Sequence, residues 1–326
     1  MDRRTVLAAT GAVLAAPQLL LAQPAKRVYR IATLDVAAES ARPQLWQMFR
    51  NRLRELVLKD GNDVAYEARY ASAETAQLPA LAAELVALKP DVIASAGTPA
   101  ASAAVKATSS IPIVFLGSGD PVGSGIVASL SRPGGNATGF STMTTETYLK
   151  SLELLHELSP RAKRLGFLAD ASSKSMNLNY RRIEERAQKL KLPIRMLDAR
   201  TRAAVDRSFA TIRREQIQGL IVAATGVLLE HRDQIVQFAA REKLSVVYGR
   251  REYVDAGGLL SFGADLKIAY VRGADFVHRI LQGAKPADMP VEQINNFLMV
   301  LNLKTARALG IAIPAAIRVR ADEVIE

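Results

Sequence analysis

The chain has 326 residues, of which 49% are hydrophobic and 23% charged, a formal net charge of +11 and no cysteine. This length suits two domains of ordinary size, and the composition is that of a folded protein rather than a disordered one. The lack of cysteine excludes disulfides, thiolate catalysis and cysteine-bound zinc. Lysines and arginines are scattered and aromatic residues make up only 6% of the chain, which favours a generally basic surface over a nucleic-acid interface.

The N-terminus has the features of an export signal. Arg3 and Arg4 precede an apolar stretch at residues 6–21, and small residues follow around Ala22. This pattern predicts a signal peptide over residues 1–22, and the paired arginines indicate the Tat route. The stretch is short for a permanent membrane span. We therefore expect cleavage near Ala22 and release of the mature protein into the periplasm.

Short apolar segments then alternate with amphipathic ones through the first half of the chain. Strands are predicted at RVYRIATLDV, GNDVAYEARY, PDVIASAGTPA and IPIVFLG, with helices between them at RPQLWQMFRNRLRELVL, AQLPALAAELVALK and AASAAVKATSS. Lys89 and Pro90 end the second helix. Apolar strands that alternate with helices predict a parallel sheet covered on both faces.

A glycine-rich segment at residues 117–142 follows the strand IPIVFLG. Glycines in this position can hold phosphates, but the segment lacks the lysine and Ser/Thr of a P-loop and the spacing of a dinucleotide-binding motif. Glycine also permits backbone conformations that other residues avoid. The run PGGN at residues 133–136 predicts a tight turn before a short strand at NATGF. We interpret the segment as a crossover, with Asp120 and Pro121 facing a cleft.

The same alternation begins again in the second half of the chain. Helices are predicted at TETYLKSLELLHELSP, SMNLNYRRIEERAQKLKL, TRAAVDRSFATIRREQ and LLEHRDQIVQFAAREK, and strands at AKRLGFLAD, PIRMLDA, IQGLIVAA and LSVVYG; the strand GGLLSFGAD and a long helix follow. The sequence thus predicts an α/β protein of two doubly wound, Rossmann-like parallel-sheet lobes joined by a hinge. The predicted N-terminal lobe is 23–120 plus parts of 264–326, the C-terminal lobe is 141–262, and the crossovers lie near 121–140 and 259–265.

Long motifs in this alternation resemble those of one protein family. LPALAAELVALKPDVIASAGTPAASAAVKATSSIPIVF and GDPVGSGIVASLSRPGGNATG are similar to ABC-transporter substrate-binding proteins, in particular the tryptophan/tyrosine-binding-like members of the type I periplasmic binding fold. The run AGGLLSFGADLKIAYVRGADFVHRILQGAKPADMPVEQ and the ending LNLKTARALGIAIPAAIRVRADEVIE extend the resemblance over the mature chain. The resemblance implies an extracytoplasmic protein that closes two lobes on a small solute and serves an ABC permease in the inner membrane.

Two loops depart from the pattern of that family. Its members often carry an Asn-Pro or Asn-Ser-Ser-Glu loop after the first strand of the second lobe, where this chain has LADASSKSMN. Many also carry an Asp-Pro or Thr-Asp loop after the strand LIVAA, where this chain has ATGVLLE. Because both loops face the ligand, the specificity of a relative does not transfer to this chain.

Hydrogen-bonding residues follow the predicted strands, and such loops face the ligand in doubly wound sheets. Thr98 and the serines at 172–175 precede helices whose N-termini can receive a carboxylate. Asp35 or Asp120 can pair with an ammonium group. A plain organic acid would leave Asp120 as a turn residue. The candidate ligand-binding residues are Asp35, Gly97, Thr98, Asp120, Ser172, Ser173, Ser175, Thr225, Arg250, Asp265 and Tyr270.

Each candidate also has a purely structural interpretation. These interpretations are helix capping for Thr98, Ser173, Thr225 and Asp265, turn formation for Asp120, solvation for Arg250 and core packing for Tyr270.

Three classes of function are compatible with these observations. The favoured one is the solute receptor of an ABC importer, which acts as a monomer on an amino acid or an organic or aromatic acid. The alternative is the ligand-sensing module of a signalling system with the same fold. An enzyme ranks third, because the three histidines lie far apart in sequence and cysteine is absent. We expect no cofactor, no metal site and no nucleic-acid partner.

Overall fold

The computed structural model describes residues 27–59 and 62–326, which form two β-sheets covered by helices. The predicted signal peptide, residues 1–22, lies outside the described residues. Central strands such as Val92–Ala96 and Leu165–Ala169 are buried along their whole length, which explains their continuous apolar sequences. The predicted fold class, an α/β protein with two mostly parallel sheets, is confirmed.

The elements of the first half of the chain build the first lobe. Its strands are β1 (Val28–Asp35), β2 (Asp63–Tyr70), β3 (Val92–Ala96), β4 (Ile113–Ser118) and β5 (Ala137–Ser141). Its helices are α1 (Pro43–Lys59), α2 (Leu78–Ala87) and α3 (Thr98–Ala107), with short 3-10 turns at Glu39–Ala41 and Thr75–Gln77.

The following elements build the second lobe. Its helices are α4 (Thr144–Leu158), α5 (Lys174–Lys189), α6 (Arg202–Arg214), α7 (Gly226–Glu230), α8 (Arg232–Arg241) and α9 (Glu252–Asp255). Its strands are β6 (Leu165–Ala169), β7 (Ile194–Asp198), β8 (Gly219–Val222), β9 (Ser245–Tyr248) and β10 (Leu260–Ala264).

The C-terminal part of the chain contributes to both lobes. It contains α10 (Leu266–Leu281), a 3-10 turn at Pro286–Asp288, β11 (Glu292–Gln293), β12 (Phe297–Asn302), α11 (Leu303–Leu309), α12 (Ala315–Arg320) and β13 (Glu323–Ile325). Helix α10 packs on α1 and β4 of the first lobe, whereas β12 and β13 extend the second sheet.

The strand orders define where the lobes meet. The first sheet has the order β11-β5-β4-β3-β1-β2, and its pairs are parallel. The second has the order β13-β12-β10-β9-β8-β6-β7, in which β10 and β12 are antiparallel. The chain passes between the sheets after β5, after β10 and after β11. Since parallel strands end at the same edge of a sheet, the loops after β3, β4, β6, β8 and β9 converge on the cleft between the lobes.

The glycine-rich segment belongs to the first lobe. Strand β5 pairs with β4, so the chain crosses only after Ser141, beyond the range of 121–140 expected from the sequence. Gly134 has a φ of +76°, as the predicted turn requires. Gly139 lies so close to β4 that a Cβ atom there would be 2.1 Å from the Phe115 carbonyl oxygen. The glycines at these two positions are therefore explained by a positive φ angle and by close packing of the backbone.

Across residues 27–59 and 62–326, no helix is both long enough and apolar enough to cross a membrane.

Candidate functional site

A cavity of about 580 Å³ lies between the two lobes, and we refer to it as the cleft cavity. Its walls come from both sheets and from the segments that join them, which is the arrangement expected of a ligand site in doubly wound folds. Its polar and charged lining residues are Thr75, Thr98, Ser102, Lys106, Ser124, Thr142, Thr144, Thr147, Tyr148, Asp170, Ser173, Lys174, Ser175, Thr225 and Arg250.

The wall from the first lobe is formed by the start of α3. Gly97, at the N-cap position, has a φ of +90° and no side chain to cap the helix. The Thr98 hydroxyl accepts a hydrogen bond from the Gly119 N–H at 3.1 Å and lies 3.1 Å from the Ser118 hydroxyl. Helix α3 thus begins at the cleft cavity without a capping side chain, and such a helix end favours an anion.

The wall from the second lobe is formed by the starts of α5 and α7. Ser173 caps α5 by accepting a hydrogen bond from the Met176 N–H at 3.3 Å, and Thr225 caps α7 in the same way from Leu228 at 3.4 Å. Ser175 is half-buried in the first turn of α5, and its hydroxyl makes no hydrogen bond within the described part of the chain. It is therefore available to a ligand.

Arg250 is the most deeply placed cation of the cleft cavity. Its side chain is 12% exposed, and its Nε atom is buried without a hydrogen-bond partner. The carboxylate paired with it, Glu252, lies 3.7 Å from Nη1, which is an ion pair but not a hydrogen bond. A Cβ atom on Gly263 would be 2.2 Å from the Gly249 carbonyl oxygen, so glycine lets β10 approach the end of β9 and enclose this side chain.

Positive charge predominates around the cleft cavity. Lys106 and Lys174 are exposed at its rim, and Arg250 lies inside. Asp170 is the one carboxylate that the described lining contains, and its Oδ1 atom accepts hydrogen bonds from the Ser172 N–H at 2.9 Å and hydroxyl at 2.6 Å. The arrangement can bind an anionic group through buried and rim cations.

The described residues contain no cluster of metal ligands. Over the described ranges, no group of three or more His, Asp or Glu side chains could hold a metal ion. The site therefore consists of hydrogen-bond donors, cations and apolar surface, which suits the binding of a small solute.

A sequence model of the family described as ABC transporter substrate binding protein matches residues 30–325. The chain belongs to this family. The resemblance predicted from its motifs is thereby confirmed, and the family is one of solute-binding proteins.

Individual relatives agree with this assignment. A tyrosine-binding protein of Clostridioides difficile (strain R20291) is 26% identical to this substrate-binding protein over 264 residues, which cover 80% of this chain and 75% of the relative. The crystal structure of a conserved domain protein from Vibrio cholerae is 26% identical, with a TM-score of 0.81 and coverage of 91% of this chain and 99% of that one. An ABC domain from Streptococcus pneumoniae in complex with L-Trp is 23% identical, with the same TM-score and coverage.

Six of the eleven candidate residues line the cleft cavity of this substrate-binding protein, and one of them is Gly97. The structure brings together Thr98, Ser173, Ser175, Thr225 and Arg250 from both lobes. Ser172 is exposed and outside the lining, where its hydroxyl bonds to Asp170.

Asp35 and Tyr270 lie inside the first lobe instead of facing the cleft cavity. Asp35 is 0% exposed; its carboxylate accepts hydrogen bonds from the Arg42 guanidinium at 2.7 Å, the Trp46 indole at 2.8 Å and the Ala37 N–H at 2.9 Å. Tyr270 packs edge-on against Trp46, and burial raises the pKa of its phenol above the ordinary value. Both residues hold α1 and α10 to the first sheet, which is a structural role.

Two other predicted site residues, Asp120 and Asp265, accept hydrogen bonds from backbone N–H groups. Asp120 turns back on its own loop, where Oδ1 accepts a hydrogen bond from the Gly123 N–H at 2.8 Å, and it is absent from the lining of the cleft cavity. Asp265 caps α10 by accepting from the Lys267 N–H at 3.0 Å and lines a neighbouring groove. Their carboxylates are therefore not presented to a ligand in the cleft cavity.

The structure adds lining residues from α4 that were not candidates in the sequence. Thr144, Thr147 and Tyr148 line the cleft cavity just after the chain crosses from β5. The Tyr148 hydroxyl accepts a hydrogen bond from the Ala224 N–H at 3.1 Å, and burial raises the pKa of this phenol to about 12. The sequence does contain one indication of these residues. They directly follow a segment that crosses between the lobes, and a helix in that position begins at the cleft.

Proposed function

We propose that this protein is the extracytoplasmic solute-binding component of an ABC importer, and that it closes its two lobes on an amino acid or an organic or aromatic acid. The observation that carries the proposal is the cleft cavity, since its polar groups come from the ends of strands in both sheets. A ligand that touches both walls stabilises the closed arrangement over the open one, which is the requirement for a hinge-bending receptor.

Contacts between the lobes support closure beside the cleft cavity. The Ala38 N–H of the first lobe donates a hydrogen bond to Glu230 Oε1 at the end of α7, at 2.7 Å. Gly226, at the start of α7, lies so near Val36 that a Cβ atom there would be 2.3 Å from Val36 Cγ1. These contacts involve residues that separate when the lobes move apart, so they belong to the closed arrangement.

The location and partners follow from the same proposal. The twin arginines and the apolar stretch at residues 6–21 support export to the periplasm, where a monomeric receptor would deliver its solute to an ABC permease without binding nucleic acid. Changing Arg3 and Arg4 to lysine should block accumulation of the protein in the periplasm. Normal accumulation of the double variant would contradict the Tat route.

A binding screen tests the receptor function. The mature chain is heated with amino acids, aromatic acids and small carboxylates, and a ligand at a hundredfold excess over its Kd stabilises a protein by about 2.7 kcal/mol. Small-angle scattering then compares the radius of gyration with and without each stabilising solute. We expect a smaller radius with the solute; an unchanged radius at saturation would contradict lobe closure.

Two tryptophan variants locate the binding site. Ser175→Trp places a large side chain in the cleft cavity and should weaken binding at least tenfold. The control is Ser109→Trp, because Ser109 is exposed and lies outside the lining. Equal binding by both variants would place the site elsewhere.

A further inference from the structure

Arg250 presents an unsatisfied cation to the cleft cavity. The guanidinium group carries five N–H donors; its Nε–H is buried without a partner, and its ion pair with Glu252, at 3.7 Å from Nη1, is too long for a hydrogen bond. A buried charge without hydrogen bonds is costly, and an anionic ligand that supplies two acceptors removes this cost. Lys106 and Lys174 at the rim add to the attraction for an anion.

Cations outnumber carboxylates in the described lining of the cleft cavity. Asp170 Oδ1 accepts hydrogen bonds from the N–H and hydroxyl of Ser172, and Glu252, outside this lining, is paired with Arg250. Asp120 is turned to the Gly123 N–H, and Asp35 is buried among Arg42, Trp46 and Ala37. A ligand ammonium group would therefore leave water for a cavity whose described lining holds three cations and a single carboxylate that already accepts two hydrogen bonds.

We propose that the solute is an organic carboxylate without an ammonium group, and that the Arg250 guanidinium binds its carboxylate through two parallel hydrogen bonds. This inference rests on the proposed receptor function and narrows its ligand class. The body of the solute lies against the apolar side of the lining, which includes Val36, Met176, Val227 and Leu266. Ser175, with its unengaged hydroxyl, supplies a further donor or acceptor to a polar substituent of that body.

Matched pairs of solutes test the ligand class. Titration calorimetry of the mature chain compares leucine, phenylalanine, tyrosine and tryptophan with 4-methylpentanoate, 3-phenylpropionate, 3-(4-hydroxyphenyl)propionate and indole-3-propionate, which keep each carbon skeleton and lack the amino group. In any pair that binds, we expect the acid without the amino group to bind at least tenfold more tightly. Equal or tighter binding of the amino acid would overturn the ligand class and leave the receptor function intact. Binding of neither class, with lobe closure on some other solute, would also overturn only the ligand class. Failure of the whole binding screen would overturn both.

A change at Thr225 tests the charge argument without removing Arg250. Aspartate is as good an N-cap as threonine, so Thr225→Asp keeps the cap of α7 while it adds a carboxylate to the lining. We expect it to weaken binding of the preferred acid at least tenfold and to narrow or reverse the preference over the matching amino acid.

The matched control is Thr201→Asp, because Thr201 caps α6 in the same lobe and lies outside the cleft cavity. This variant should bind both solutes like the unaltered protein. An unchanged preference in Thr225→Asp would contradict the proposal. Arg250→Gln should weaken the acid at least tenfold while the thermal unfolding of the ligand-free protein shows that it remains folded, and a smaller loss in a folded variant would likewise overturn the role of Arg250.

Discussion

Gly226→Ala should weaken ligand binding by preventing full closure of the lobes. The added Cβ atom would be 2.3 Å from Val36 Cγ1 and 3.3 Å from Arg42 Nη2, both in the first lobe. Val36 is buried, and a Cβ atom on Gly97 would meet the same Cγ1 atom at 3.0 Å, so the valine has no room to retreat. Overpacking of this kind costs about 1–3 kcal/mol, and at about 1.4 kcal/mol for each factor of ten this weakens binding about 5- to 150-fold.

The effect should be confined to the closed state. Alanine is favoured over glycine within a helix, and in the open state the two lobes do not press on this position. The temperature at which the ligand-free protein unfolds should therefore be unchanged or slightly higher. Calorimetry with the best-binding solute of the screen measures the change in Kd. Adding Val36→Ala removes the blocking Cγ1 atom and should restore much of the affinity.

The control is Gly135→Ala, since a Cβ atom on Gly135 would meet nothing within 4 Å. This variant should bind normally. If Gly226→Ala also binds with unaltered affinity, the Val36–Gly226 contact is not part of the ligand-bound state, and the reasoning about closure fails.

Other predictions concern the first lobe and the effect of pH. Asp35→Asn should lower the free energy of unfolding by about 3–5 kcal/mol, because it leaves the Arg42 charge buried without its partner; urea unfolding followed by the fluorescence of Trp46, the single tryptophan of the chain, measures it. Thr98→Val should lower the free energy of unfolding by about 1–3 kcal/mol in the same assay, because the Gly119 N–H loses the hydroxyl that accepts its hydrogen bond. Burial, and after it the charge of a neighbouring arginine, lowers the pKa of His231 in the folded protein. Because the unfolded chain binds the proton more readily, the free energy of unfolding should fall as the pH drops below about 6.5. His231→Gln should make the free energy of unfolding less dependent on pH in this range.

The architecture could be predicted from the sequence because it depends on local patterns. Apolar runs such as DVIASA and GLIVAA become central strands, and the segments between them have helical spacing. Thr98, Ser173 and Thr225 were identified as site candidates for a related reason. Parallel strands end at one edge of a sheet, so a residue in the loop after a strand faces the cleft even when, like Ser173 and Thr225, it also caps the next helix.

The residues that the sequence misplaced depend on contacts with distant segments. Asp35 also follows a strand, but whether its carboxylate faces solvent or an arginine is decided by how α1 packs on the sheet. Asp120 is satisfied by the backbone of its own turn, an outcome that the sequence had left open beside a ligand contact. Tyr148 lies just after a crossing segment, but its helix has ordinary amphipathic spacing, and the packing of α4 against the end of β8 decides that this side chain lines the cleft cavity.

The crystal structure of the mature protein with the tightest-binding carboxylate is the most direct test of the central claim. We expect the solute between the lobes, with its two carboxylate oxygens about 2.7–3.2 Å from the Arg250 guanidinium nitrogens and its body against the apolar residues of the lining. A solute bound in the neighbouring groove around Asp265, or one that lies in the cleft cavity with its carboxylate away from Arg250, would contradict it.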